Sequence, residues 1–169
     1  MEFVIGLSRR NVDENTGGPF GAAVFEIKTG KLIAAGVNRV VKCNCSLAHA
    51  EAMALMFAQK ELGTFDLGAK GLPEIELVTS AQPCIQCFGN VWWAGIRRLV
   101  IGARGSDVED LTGFDEGPLP PNWHRYLSER RNLPKVKVVR DFHRQAALKP
   151  LALYAQKGGK IYNAGSGVV

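Results

Sequence analysis

Cysteine and histidine are scarce in this chain, at four and three of 169 residues. So few thiols, two of them in a Cys-x-x-Cys pair, speak against a disulfide-stapled secreted module and for a reducing compartment, the cytoplasm. Long apolar runs are missing: nothing approaches the ~20 apolar residues of a membrane-spanning helix, and the N-terminus lacks the layout of a secretory signal. No internal repeat is evident, and no low-complexity segment precedes the glycine-rich tail. What is present is 46% hydrophobic residues, ordinary for a soluble globular protein and enough for one domain over residues 1–169 with a real core.

Acidic residues are also scarce in the last part of the chain. Met1 to Pro120 carries 11 basic and 14 acidic residues, whereas Pro121 to Val169 carries 10 and 2. A basic segment can meet nucleic acid. This one holds few aromatics on which bases would stack, so a solvated face or a subunit contact is the plainer reading and nucleic acid is not expected.

The periodicity predicts helices over 3–14, 49–59, 84–94, 122–130 and 142–156, with Phe3, Leu7 and Arg10 along one face of the first. Strands are predicted over 20–27, 32–37, 74–79, 98–102 and 136–139, the first two joined as a hairpin by Lys28-Thr29-Gly30-Lys31. Residues 38–48 and 103–122 read as loops, the second with room for a short turn of helix. Strand–helix–strand alternation in the middle implies a parallel core sheet covered on both faces, with the hairpin at one side: an α/β chain.

Two fragments carry the chemistry: His49-Ala50-Glu51 and Pro83-Cys84-Ile85-Gln86-Cys87. They supply an imidazole, two thiols and one carboxylate free to move protons. His49, Cys84 and Cys87 can hold a zinc ion and leave its fourth position to water, which separates a catalytic zinc from a structural one. Both fragments fall at predicted helix starts, where partial positive charge favours the thiolates that a metal requires. Glu51 is placed to accept and return protons, and burial would raise its pKa toward the useful range. A bland alternative is a structural site of four thiolates built from Cys43, Cys45, Cys84 and Cys87. Neither Glu51 nor Pro83 has a use in such a site, and Cys43 and Cys45 read as bystanders.

H-x-E…P-C-x-x-C is the signature of zinc-dependent base deaminases, and from Gly17 to the last strand the chain resembles the cytidine deaminase superfamily. The resemblance implies a three-layer α/β/α fold with a five-stranded mixed sheet, one zinc ion per chain, and a homodimer or larger assembly. Four further fragments resemble the bacterial guanine deaminase branch. Gly17-Gly18-Pro19-Phe20-Gly21-Ala22 is similar to its GGPFGA, and Gly36-Val37-Asn38 to its G-x-N turn. Trp92-Trp93-Ala94 is similar to its Tyr-Trp-Ala, and Gly113-Phe114-Asp115-Glu116 to its G-F-D-D. By this resemblance Asn38, Phe20, Trp93 and the Ala50 backbone N–H shape a pocket for a purine base, and Glu116 is a second acid serving the leaving amine. In that branch the C-terminal segment crosses to a partner and covers its site with an aromatic residue. The resemblance therefore makes 155–169 a lid or swapped tail, with Tyr162 as the cover and Tyr154 as the competing choice.

The chain departs from the branch in three places. Gln82 replaces a glutamate before Pro83, Ile85-Gln86 replaces Pro-Met between the cysteines, and Glu116 is one methylene longer than the usual aspartate. The longer acid changes reach and pocket volume and leaves substrate choice open. The expected reaction is guanine to xanthine plus ammonia. An amino-triazine such as ammeline is the near alternative, transfer-RNA adenosine the distant one, and a non-catalytic zinc module the reading from another class.

Overall fold

The structure is a computed structural model, and it describes residues 1–166. Five strands form one mixed sheet in the order β2-β1-β3-β4-β5. β1 (Gly21–Glu26) and β2 (Leu32–Val37) form the antiparallel hairpin, and β1 also runs antiparallel to β3 (Ile75–Ala81). β4 (Arg98–Ala103) and β5 (Lys137–Val139) continue from β3 in parallel.

The strands alternate as a sheet covered on both faces requires. Ala22, Val24, Leu77 and Leu99 point to one side, where they join Ala50, Ala54 and Leu55 of α3 (Ala50–Glu61) and Val91 of α4 (Ile85–Trp93). Ala23, Val78 and Val100 point to the other, where α1 (Glu2–Asp13) contributes Val4. α5 (Gly105–Thr112) and α7 (Arg144–Gln156) complete that second layer, and α6 (Trp123–Ser128) packs beside β5 on the first. The three-layer α/β/α arrangement and its five-stranded mixed sheet are those expected.

Two helices lie inside segments read as loops. α2 (Val40–Cys43) is a single turn, and α5 occupies much of 103–122. α5 has only Val108 and Leu111 as large apolar residues but a strong start. The Asp107 carboxylate accepts from the Arg104 backbone N–H at 2.8 Å and from Arg144 Nε at 2.8 Å, so α7 helps to cap α5. In α1 the expected face is not the buried one. Val4, Ser8, Asn11 and Val12 face inward, and Phe3 is 48% exposed. Ser8 and Asn11 are buried because the backbone of the next turn takes up their hydrogen bonds, a reason that hydrophobic periodicity does not register.

Candidate functional site

The sheet's helix-carrying strand ends bring both chemical fragments together. β2 leads through α2 to His49, the residue before α3, and β3 leads to Cys84, the residue before α4. His49 and Cys84 both have extended backbone, so each side chain lies at a helix mouth with the helix behind it. Cys87, one turn into α4, is fully buried beside Val91.

His49 Nδ1 lies 3.4 Å from Cys84 Sγ and 3.6 Å from Cys87 Sγ. A tetrahedral ion with Zn–S of about 2.3 Å and Zn–N of about 2.0 Å separates such atoms by about 3.5 Å. The three ligand atoms all lie within 4.8 Å of one another, so the donor set fits zinc as it stands. The ordinary thiol range does not apply to Cys84, which is pulled down to about 4, first by a hydrogen bond from Cys87 and also by His49. Cys43 and Cys45 are exposed and free, and neither joins a metal-competent group among the described residues. A four-sulfur site is therefore excluded.

Glu51 sits in the first turn of α3 and is 6% exposed. Its Oε2 accepts from Cys87 Sγ at 3.4 Å. Burial, and secondarily the negative charge of Cys84, raises its pKa above the ordinary carboxylate range. Glu116 lies on the loop after α5. Its backbone oxygen accepts from the Ile85 N–H at 3.0 Å, which ties the loop to the first turn of α4. Burial in the first place, with Cys84 and Glu51 adding to it, pushes its carboxyl up to about 9.

These groups share one cleft of 280 Å³, just below the ~300–1,000 Å³ typical of ligand sites. His49, Ala50, Glu51, Cys84 and Glu116 line it together with Phe20, Asn38 and Tyr162. A larger groove of 880 Å³ lies elsewhere, over α3 and α4, and holds none of the proton-moving or metal-binding groups. Trp93 belongs to that groove. It is 77% exposed and does not reach the cleft, contrary to expectation. The cause is helical phase: Cys87 and Val91, four apart, set the inward face of α4, and two residues further on Trp93 points away from it.

Tyr162 comes from the chain's own tail. Its ring lies 4.5 Å from that of Phe114, and burial raises its phenol so that it stays neutral. Tyr154 plays a different part. It stacks on Phe114 at 5.9 Å, and its hydroxyl donates to the Lys160 carbonyl at 2.6 Å, anchoring the root of the tail. The tail thus lies across this chain's own cleft. Residues 167–169, the end of the segment 155–169 expected as a lid or swapped tail, fall outside the described residues.

Asn11 and Asn163 were not among the residues singled out from sequence, yet both organise the site. Asn11, 3% exposed, donates to the carbonyls of Gly18 and Asn38 at 2.7 and 2.9 Å, locking the Gly17-Gly18 turn against Asn38. A Cβ at Gly17 would stand 1.8 Å from the Asn38 carbonyl oxygen, so this glycine is required for close approach and does more than break α1. The available signal for Asn11 was a polar residue one turn after Ser8 and six residues before the glycine pair. For Asn163, which touches a loop fifty residues earlier, there was none.

The comparisons with known proteins agree with this geometry. The structure of NE0047 in complex with 2,6-diaminopurine is 52% identical and superposes with a TM-score of 0.88, covering 96% of this chain and 83% of that one. A structure of guanine deaminase from Nitrosomonas europaea is 51% identical with a TM-score of 0.86, covering 92% and 82%. Guanine deaminase of Bacillus subtilis (strain 168) is 36% identical over 143 residues, 85% of this chain and 86% of that protein. Residues 1–103 match the cytidine and deoxycytidylate deaminase zinc-binding region, which takes in His49, Glu51, Cys84 and Cys87. Motif, metal geometry and fold thus agree, and the chain belongs to the cytidine and deoxycytidylate deaminase zinc-binding family.

Proposed function

We propose that the chain hydrolyses guanine to xanthine and ammonia. The observation that carries this reading is a second, partly buried carboxylate, Glu116, in the same small cleft as Glu51, His49 and Cys84. The likeness to guanine deaminases over most of the chain supports it.

Zinc bound by His49, Cys84 and Cys87 supplies water acidified to a pKa near 7. The chain's own residues do the rest. The C2–O bond forms and the C2–N bond to the exocyclic amine breaks. Of the two water protons, one ends on ring nitrogen N3 and the other on the departing ammonia. Glu51 carries the proton to N3; burial raises its pKa, which favours its taking up a proton from the water before passing it on. Glu116, in its acid form at neutral pH, gives a proton to the amine and is recharged from the hydroxyl left on C2. Asn38 and the Ala50 N–H orient the base, Phe20 and Phe114 supply an apolar wall, and Tyr162 closes the cleft against bulk water.

An ammonia-release screen over guanine, adenine, cytosine, cytidine, ammeline and a transfer-RNA anticodon stem tests the reading. Guanine is expected to lead; a higher kcat/KM for any other compound overturns it. The cleft's size and the tail across it favour a free base over a nucleotide held in RNA.

We infer further that the chain works as a homodimer, in the cytoplasm, where its four unpaired thiols stay reduced. No helix among the described residues is long and apolar enough to cross a membrane. The larger groove is the contact surface. Phe65 and Trp93 stand 87% and 77% exposed there, two large apolar side chains that a partner would cover. In the same groove the Arg130 side chain is buried over the Trp92 ring, 4.5 Å from its centroid, with its Nε unpartnered among the described residues. Sedimentation should give a dimer for the wild type and a folded monomer for Trp93→Glu. A monomeric wild type, or a dimeric variant, would sink this assignment.

A further inference from the structure

The tail does more than cover the cleft. Asn163 Oδ1 accepts from the Asp115 backbone N–H at 3.0 Å, and Asn163 Nδ2 donates to the Gly113 carbonyl at 3.0 Å. One side-chain amide thus pairs with both exposed backbone groups of a single loop, as a neighbouring strand would. Only an amide carries donor and acceptor in one plane for this. The loop so held is the one that bears Glu116.

The rest of the loop's restraint comes from α4 on the opposite side and from within the loop itself. The Glu116 carbonyl accepts from Ile85 N–H at 3.0 Å, and the Gly117 N–H donates to Asp115 Oδ1 at 2.9 Å. Glu116 is therefore bracketed between α4, which carries the metal ligands, and the tail. The tail in turn is shaped to present the amide. Tyr154 fixes its root at Lys160, and Ser166 Oγ donates back to the carbonyls of Asn163 and Ile161 at 2.6 and 3.1 Å, closing a small turn around Asn163. Phe114, between the two clamped backbone groups, is 5% exposed and touches the Tyr162 ring. Lifting Tyr162 from the cleft therefore breaks the Asn163 clamp in the same movement.

We propose that Asn163 is a positioning residue that couples tail closure to the placement of Glu116, so that the second acid is set for proton transfer only when the tail is down. This rests on the guanine deaminase reading for its catalytic consequence, but not for the clamp itself. Asn163 touches neither the metal-ligand set nor the second acid's carboxyl in any hydrogen bond among the described residues, and it acts through the loop backbone.

The test is a double-mutant cycle with a separate structural readout. Asn163→Ala, and the volume-matched Asn163→Leu, should each lower kcat for guanine about tenfold in the wild-type background. In the Glu116→Gln background each should change it less than twofold, because the group being positioned is already gone. Equal losses in both backgrounds would mean that Asn163 serves the tail alone and would overturn the proposal, as would unchanged kcat in both single variants. Zinc content and the unfolding midpoint, measured alongside, identify a variant that fails to fold. Amide hydrogen exchange over residues 113–117 should speed up about tenfold in either Asn163 variant. That readout needs no turnover. An enzyme inactive on guanine whose loop exchange still responds to Asn163 would fail the substrate reading and keep the clamp; an active enzyme whose exchange is unmoved would fail the clamp alone.

Discussion

Glu51→Gln is expected to keep one zinc per chain and lose about 10²–10⁴-fold in kcat, the range typical of a positioned general acid–base group. The amide fills the same space in the first turn of α3 and can still meet Cys87, so the ligand geometry of His49, Cys84 and Cys87 should survive. What it cannot do is take a proton and return it. The loss should appear at every pH, because no ionisation of another cleft residue replaces the shuttle. Metal analysis together with guanine turnover checks this. Wild-type turnover in a zinc-loaded variant would remove Glu51 from the mechanism, whereas loss of zinc would make it a support for the metal site instead.

Glu116→Gln should lower kcat by a comparable ~10²-fold and also change the pH profile. The wild-type carboxyl, raised to about 9 chiefly by burial, is in its acid form at neutral pH. Its proton is available below that value and is lost as pH rises through it. The wild-type rate should therefore fall on an alkaline limb near pH 9, and the variant, with no carboxyl to ionise, should lack that limb. Stability carries the same sign. A pKa raised on folding contributes stability that is fully present below the ordinary value of 4.5 and is lost as pH climbs toward about 9. Glu116→Gln should thus lose less stability than the wild type between pH 5 and 9 in urea unfolding. Identical alkaline limbs for the two proteins would assign the proton donor elsewhere.

These two carboxylates differ in how far the sequence alone could reach. Glu51 was legible at once, because it stands two residues from a ligand in a motif whose order has a chemical reason. Glu116 was legible only through likeness to G-F-D-D; as residues, Asp115-Glu116 in an acidic loop look solvated. Shielding of Glu116, while Asp115 stays exposed, turns that loop into part of the site. It comes from the tail, α4 and Phe114 closing around the loop, and no local pattern records it. Trp93 failed for the converse reason. Likeness placed it against the base, but its face is set by the phase of α4, which Cys87 and Val91 fix.

The fold divides in the same way. Alternating strands, the hairpin turn and the proline and cysteine at the start of α4 are local instructions, readable because backbone geometry repeats every two or 3.6 residues. α5 is longer than the short turn of helix expected there: Asp107 caps it locally on the Arg104 N–H, but the Arg144 that holds this carboxylate comes from α7, far away in the chain.

What the sequence determined by itself was the metal chemistry and the α/β architecture, since both rest on short-range spacing: one turn between two thiols, two residues between imidazole and carboxylate, two-residue alternation in the strands. What only the tertiary structure decided was the enclosure of the cleft by the chain's own Tyr162, the acidity of Glu116 and the clamp of Asn163. Desolvation and hydrogen bonds between distant segments depend on which surfaces meet, and that is fixed only once the tail has folded back over the helix mouths.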